Sequence, residues 1–105
     1  MIKELDISLC DVQLTGYAWD VLTSKIELKI TDADNSIKGI VCCWISDFHF
    51  QQNRPGPMLS WEGRITIEET GEYKLQIDFA DEGELLILCN EIEIIKHENP
   101  TIAAT

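Results

Sequence analysis

The chain is short of bases. Of its 105 residues only eight are Lys or Arg, against nineteen Asp and Glu, for a formal charge of −11. A chain this negative repels nucleic acid and anionic membrane and attracts a basic partner. Acidity also serves plain solubility, so charge alone decides nothing. Long apolar runs are missing too. None approaches the roughly 18–20 residues that span a bilayer. The opening MIKELDISL alternates in polarity where a signal peptide would carry an apolar core. The expectation is a cytoplasmic chain without membrane contact. Helical periodicity is absent as well: no window repeats apolar residues at i, i+3, i+4 and i+7 for three turns. There is no internal repeat and no linker. The chain should be a single domain over residues 1–98, with a small-residue, flexible tail at 99–105.

The signatures of catalysis are missing: no G-x-S-x-G, no H-E-x-x-H, no P-loop and no dinucleotide fingerprint. Of the four cysteines, Cys42 and Cys43 are adjacent, so on a strand they point to opposite faces and cannot share one tetrahedral metal. No C-x-x-C pair exists. Each cysteine sits among apolar residues, which predicts buried, reduced thiols. Asp32 and Asp34 have the spacing that opens a calcium loop, but Ile37 stands where the turn glycine belongs and no Glu closes it. Likewise Asp78 faces outward from a strand while Asp81 to Glu84 form a turn, so nothing aims them at one cation. No metal and no cofactor are expected.

What is present is alternation. Ile40 to Ile45 runs I-V-C-C-W-I without a polar residue, so both faces of an extended strand are apolar and the strand is central. One face would hold Ile40, Cys42, Trp44, Ser46, Phe48 and Phe50, with Trp44 in the core. The other would hold Val41, Cys43, Ile45, Asp47 and His49. Ahead of it, ELDISLCDVQL alternates with a slipped phase that a β-bulge near Leu9–Asp11 would repair. A loop or turn is expected to begin at Thr15-Gly16-Tyr17. Ile26, Leu28 and Ile30 form a clean second strand, closed by DADNS.

After the central strand, QQNRPGPMLSWEG is the longest irregular connection, because neither Pro55 nor Pro57 can donate to a ladder. Ile65 and Ile67, then Tyr73, Leu75, Ile77 and Phe79, mark two more strands joined across Gly71. In ELLILCNEIEIIK the residues Leu86, Leu88, Ile92 and Ile94 share a face, as one bent strand or two short ones. The class is all-β: a single-domain antiparallel β-sandwich or small barrel of about six or seven strands.

Asp47 and His49, two apart on one face, would place a base within roughly 7 Å of an orienting acid. Alone, Asp-x-His is a weak pattern, and the chain is not expected to be an enzyme. The charge distribution says more. Residues 62–98 hold eleven acids against Arg64, Lys74 and Lys96, a balance of −8. A basic partner should therefore meet the C-terminal half. The expected contact set is Glu68, Glu69 and Glu72 on one turn, Asp78, Asp81, Glu82 and Glu84 on the next, and Trp61 as an exposed aromatic anchor. The two turns need not lie at one end of the molecule.

In its DFHFQQN (47–53), SWEGRITI (60–67) and YKLQIDFADEGE (73–84), and in its size, acidity and β character, the chain resembles bacterial toxin-immunity proteins of the contact-dependent inhibition or polymorphic-toxin type. The resemblance implies a protein that binds one cognate toxin, a basic nuclease domain, and occludes its active site. It would act as a monomer in the complex, without touching nucleic acid directly. The runner-up is an acidic nucleic-acid mimic, or an inhibitor of a nucleic-acid-binding protein. A small enzyme using Asp47 and His49 stands third.

Overall fold

The computed structural model describes residues 3–4, 9, 11–32 and 37–96. The expected tail at 99–105, and with it Cys10, Asp34 and His97, lies outside them. Eight strands follow in chain order: β1 (Lys3–Glu4), β2 (Val12–Asp20), β3 (Lys25–Asp32), β4 (Ile37–Gln52), β5 (Met58–Leu59), β6 (Glu62–Ile67), β7 (Tyr73–Asp78) and β8 (Gly83–Lys96). Among the described residues the one helical piece is a 3-10 turn, Ala80–Glu82. All pairings are antiparallel, in one sheet of order β1-β6-β7-β8-β4-β3-β2-β5.

The sheet curls into a half-barrel, and the chain itself links its two ends. β5, at one end of the order, is separated from β6, next to the other end, only by Ser60 and Trp61. Ser60 stitches this junction: its buried hydroxyl donates to the Leu9 carbonyl at 2.5 Å and accepts the Val12 N–H at 2.9 Å. Asp11, at φ 60°, supplies the expected bulge, so Leu9, Val12 and Leu14 are all buried despite their parity.

The core lies on the inner face: Ile26 and Leu28 from β3, Ile40 and Cys42 from β4, Ile65, Leu75 and Ile77 from β6 and β7, Leu85, Ile87 and Cys89 from β8. Each large aliphatic side chain buried there stabilises by about 1.5–3 kcal/mol over leaving it in water.

β4 is central, as its apolar run requires. It pairs along its length with β8, and over Gly39–Cys43 with β3. The expected faces hold to Cys42, break over Trp44 to Ser46, and hold again from Asp47, with Phe48 and Phe50 inward and Asp47 and His49 outward. Trp44 adopts φ 59°, and the register shifts again between Ile45 and Asp47. Ile45 therefore turns to the core, Phe48 and Phe50 follow on the inner side, and Trp44 is thrown outward, 58% exposed. β8 breaks at the same height. Asn90 and Glu91 are both exposed, Ile92 and Ile94 pack inward below them, and Leu85, Ile87 and Cys89 are buried above. The inward set is thus not the expected Leu86 and Leu88. The two long strands bend together, and each serves both halves of the sheet: β3 and β2 flank the lower half, β7 and β6 the upper.

Nor does a turn begin at Thr15. The register between β2 and β3 shifts there, the Thr15 hydroxyl donates to the Lys29 carbonyl, and β2 runs on to Asp20. One extra residue in the strand keeps Tyr17 and Trp19 on the inner face, where they meet the rings of Phe48 and Phe50.

Candidate functional site

β6, β7 and β8 turn a polar outer face to solvent, and their register builds a row across it. Glu62 stands opposite Asp78, Asp78 opposite Glu84, and Glu84 opposite Gln51 of β4. Cross-strand neighbours have Cβ atoms about 4.5–5.5 Å apart, and like charges placed so repel. Three carboxylates in register are therefore unfavourable for the isolated chain. Some relief comes from the flanks: Arg64 lies 3.6 Å from Glu62, and His49 Nε2 lies 3.3 Å from Glu84. Both contacts are half in water, where such pairs contribute about 0–1 kcal/mol. The Asp78 carboxylate accepts the Ala80 N–H at 2.8 Å. With Gln51, Asn53, Gln76 and Gly83, the row lines a shallow groove of about 350 Å³.

Trp61 borders this row. Ser60 faces inward, and so does Gly63, where a Cβ would meet that of Leu9 at 2.8 Å. Trp61 and Glu62 are left together on the outside. The Trp61 N–H donates to the Asp78 carbonyl at 2.7 Å, which ties the indole's backbone to the row, and the residue is 70% exposed. Leu59, also exposed, adds apolar surface on the same margin.

The structure divides the expected contact residues. Trp61, Asp78, Asp81, Glu82 and Glu84 gather at one end of β7; Glu68, Glu69 and Glu72 lie on the turn at its other end, roughly 17 Å away along the strand. The second group is largely engaged. Glu68 accepts from the Thr66 hydroxyl at 2.9 Å, and half-buried Glu72 accepts from the Ser46 and Thr70 hydroxyls. Glu69 is exposed.

In the first group Glu82 is a clamp. Its carboxylate holds Arg54 at 3.4 Å and accepts the Leu59 N–H, while Asn53 bonds the Glu82 and Asp81 carbonyls. The proline loop is thereby fastened to the 80–83 turn. Glu62, Leu59 and Gln51 joined the site through strand register and outward exposure, which one sequence does not display.

Asp47 and His49 both face outward, but they do not meet. Asp47 accepts the N–H of Phe48 at 2.9 Å, and His49 turns to Glu84. Among the described residues no three His, Cys, Asp or Glu side chains stand where they could share a metal ion. Cys42 and Cys89 are buried free thiols; the Cys42 thiol is pushed up first by its hydrogen bond with Cys89 and then by burial, so it remains the protonated donor. Cys43 is half-buried on the other face. No helix among the described residues is long and apolar enough to cross a membrane.

No protein-family model matches the chain. No curated protein matches it either. Among solved structures, the crystal structure of an uncharacterized protein from Neisseria gonorrhoeae is similar, with a TM-score of 0.66 over 90% of this chain and 96% of that one, at 17% identity. At that identity the likeness is one of fold.

Proposed function

We propose that the chain is a binding protein of the toxin-immunity type, which takes a basic protein partner on the outer face of β6, β7 and β8. One observation carries this reading: the row Glu62–Asp78–Glu84, unfavourable by itself, lies in register beside exposed Trp61. A partner's Arg and Lys relieve the repulsion within the row, and the indole supplies an aromatic anchor of the kind that dominates interface energetics. Where the partner is a nuclease, the cations so covered are those it needs for phosphate, and the nuclease is inhibited by occlusion. A mimic of nucleic acid would need a longer acidic track than one three strands wide, so the row favours a protein partner.

The test is a rescue experiment. The product of the gene immediately upstream is expressed in a susceptible host, alone and with this chain. Rescue is expected, together with a rapid, salt-sensitive association of the purified pair. The triple variant Glu62→Gln, Asp78→Asn, Glu84→Gln should associate at least about tenfold more slowly and with a flatter salt slope. Absence of rescue, or full rescue and an unchanged salt slope in the triple variant, would overturn the proposal.

A further inference from the structure

The acidic row is a matter of side chains; β2 offers its backbone. One edge of β2 pairs with β3 from Val12 to Asp20, and the other meets β5 only at Gln13 and Leu14. Among the described residues no strand lies beside Gly16–Asp20 on that second edge. Alternate N–H and C=O groups of this stretch therefore point away from the sheet, a template on which a further strand can form. The devices that usually blunt such an edge are missing. β2 is nine residues long, it holds neither Lys nor Pro, and its bulge, at Thr15, comes before the open stretch. On the inner face the side chains beside this edge are apolar. Tyr17 and Trp19 point there, yet they are 43% and 49% exposed, because the half-barrel is not closed over them. Tyr17 meets the ring of Phe50 at 5.4 Å and Trp19 that of Phe48 at 5.2 Å, so the four rings line one cleft. At the Gly16 end of the stretch, Leu14, Tyr17, Phe50 and Met58 line a pocket of about 190 Å³.

We infer that the open edge of β2 takes an extended segment of another protein as an added antiparallel strand, with the pattern base, apolar, any, apolar, any. The unpaired ladder selects the conformation. Only an extended backbone offers N–H and C=O groups at a strand's own spacing, which a helix or a side-chain patch does not. Direction follows from the sheet: every pairing in it is antiparallel, the more stable kind per residue. Register then assigns the side chains. The guest begins opposite Asp20 and ends opposite Gly16, a span of roughly 16 Å. Its second and fourth residues stand across from Trp19 and Tyr17 and share their face, so both enter the aromatic cleft, the fourth beside the pocket. Its first residue stands across from Asp20, which is exposed and is the one charged residue of β2. A base there matches that carboxylate. It also matches the field of a chain of −11, which turns acidic segments away and opposes edge-to-edge pairing of two copies. The added strand rests on backbone pairing and does not depend on the function proposed above.

The probe is the synthetic peptide acetyl-Lys-Val-Thr-Leu-Thr-amide, titrated into the full chain while the amide signals of Gly16–Asp20 are followed by NMR. Two analogues carry N-methyl groups, one on its second and fourth residues, the other on its third and fifth. On an added strand one set of amides faces β2 and the other faces solvent. One analogue should therefore bind at least about tenfold more weakly than the parent, having lost two hydrogen bonds, and the other within about twofold of it. On saturation, alternate amides within Gly16–Asp20 should exchange with solvent at least about tenfold more slowly. Replacing the peptide's Lys by Glu should weaken binding by about threefold at low salt. Trp19→Thr should weaken it by about threefold as well. The methylated pair decides the matter even if that variant misfolds. Equal binding of the two analogues overturns the inference, as does failure to saturate by about 1 mM peptide. So does protection that appears on the acidic row and not on β2, or an open edge already protected without peptide because two copies pair there.

Discussion

The two turns at the ends of β7 are alike in composition and unlike in use. Each is acidic, and each has a glycine at positive φ, Gly71 at 90° and Gly83 at 147°. At the first, Glu68 and Glu72 are taken up by the hydroxyls of Thr66, Thr70 and Ser46. At the second, Asp78, Glu84 and Glu62 stand exposed in register beside Trp61; Asp78 accepts one N–H, from Ala80, and Glu84 has His49 beside it, while Glu82 is drawn fully into the clamp on Arg54 and Leu59. Counting charges, three acids against four, hardly tells them apart. What separates them is register: carboxylates taken up by neighbouring hydroxyls spend their charge within the fold, and carboxylates set opposite their own kind keep an unfavourable term for a partner to remove.

The glycines offer the sharpest contrast. A Cβ at Gly83 would come within 1.9 Å of the Gln51 carbonyl oxygen, whereas one at Gly71 meets nothing within 4 Å. Gly83→Ala should destabilise by more than about 3 kcal/mol, since it adds a backbone clash to a φ and ψ open almost only to glycine. Gly71→Ala should cost about 1 kcal/mol, for the positive φ alone. Urea denaturation of the two variants measures the difference, and equal losses would mean that the close approach of β8 to β4 is not what requires Gly83.

Next in size is the aromatic anchor. Trp61→Ala should weaken binding of the basic partner by about 2 kcal/mol, roughly 30-fold, whereas Trp44→Ala should leave it unchanged. Titration calorimetry on both variants would place the interface at the other end of β7 if the two effects were reversed.

The smallest effect needs no partner. Neutralising Glu62, Asp78 and Glu84 should raise stability at low salt by about 0.2–1 kcal/mol, because opposed like charges are removed. Neutralising Glu68 and Glu72 should lower it by a similar amount, because hydrogen bonds to charged acceptors are weakened. Opposite signs in parallel urea titrations are the expected outcome; the same sign for both would erase the distinction.

Much of the architecture was legible in the alternation. The centrality of β4, the inward faces of β3 and β7, the bulge near Asp11 and the buried cysteines Cys42 and Cys89 follow from apolar spacing, which each strand carries within itself. The failures lie where a strand changes parity. Trp44 sits in a run whose every residue is apolar, so nothing local marks the left-handed residue that turns it outward. Leu86 and Leu88 do not share a face with Ile92 and Ile94 for a like reason: the count runs through a bend at Asn90 and Glu91 that leaves no mark in the pattern. Thr15-Gly16-Tyr17 reads as the start of a turn, and the structure absorbs it as a bulge at Thr15 with Gly16 paired to Lys29. The acidic site is half legible: Asp78 is marked by outward parity, Glu84 by the acidic turn it belongs to and Trp61 by its place beside the proline loop. That Glu62 completes their row, and that Glu68 to Glu72 belong elsewhere, depends on register between strands far apart in the chain.

The shared use of β4 and β8 bears on how this protein opens. Their ladder runs from Ile37 opposite Lys96 to Gln52 opposite Gly83, and it supplies strands to both halves of the sheet. Take it away, and β2 with β3 is left as a hairpin, marginal in water by itself. The bend at Trp44 is thus a corner without being a seam. Amide protons on both sides of it, those of Ile40 to Cys42 and those of Phe48 to Phe50, should exchange with solvent only when the whole molecule unfolds, and so with a single free energy.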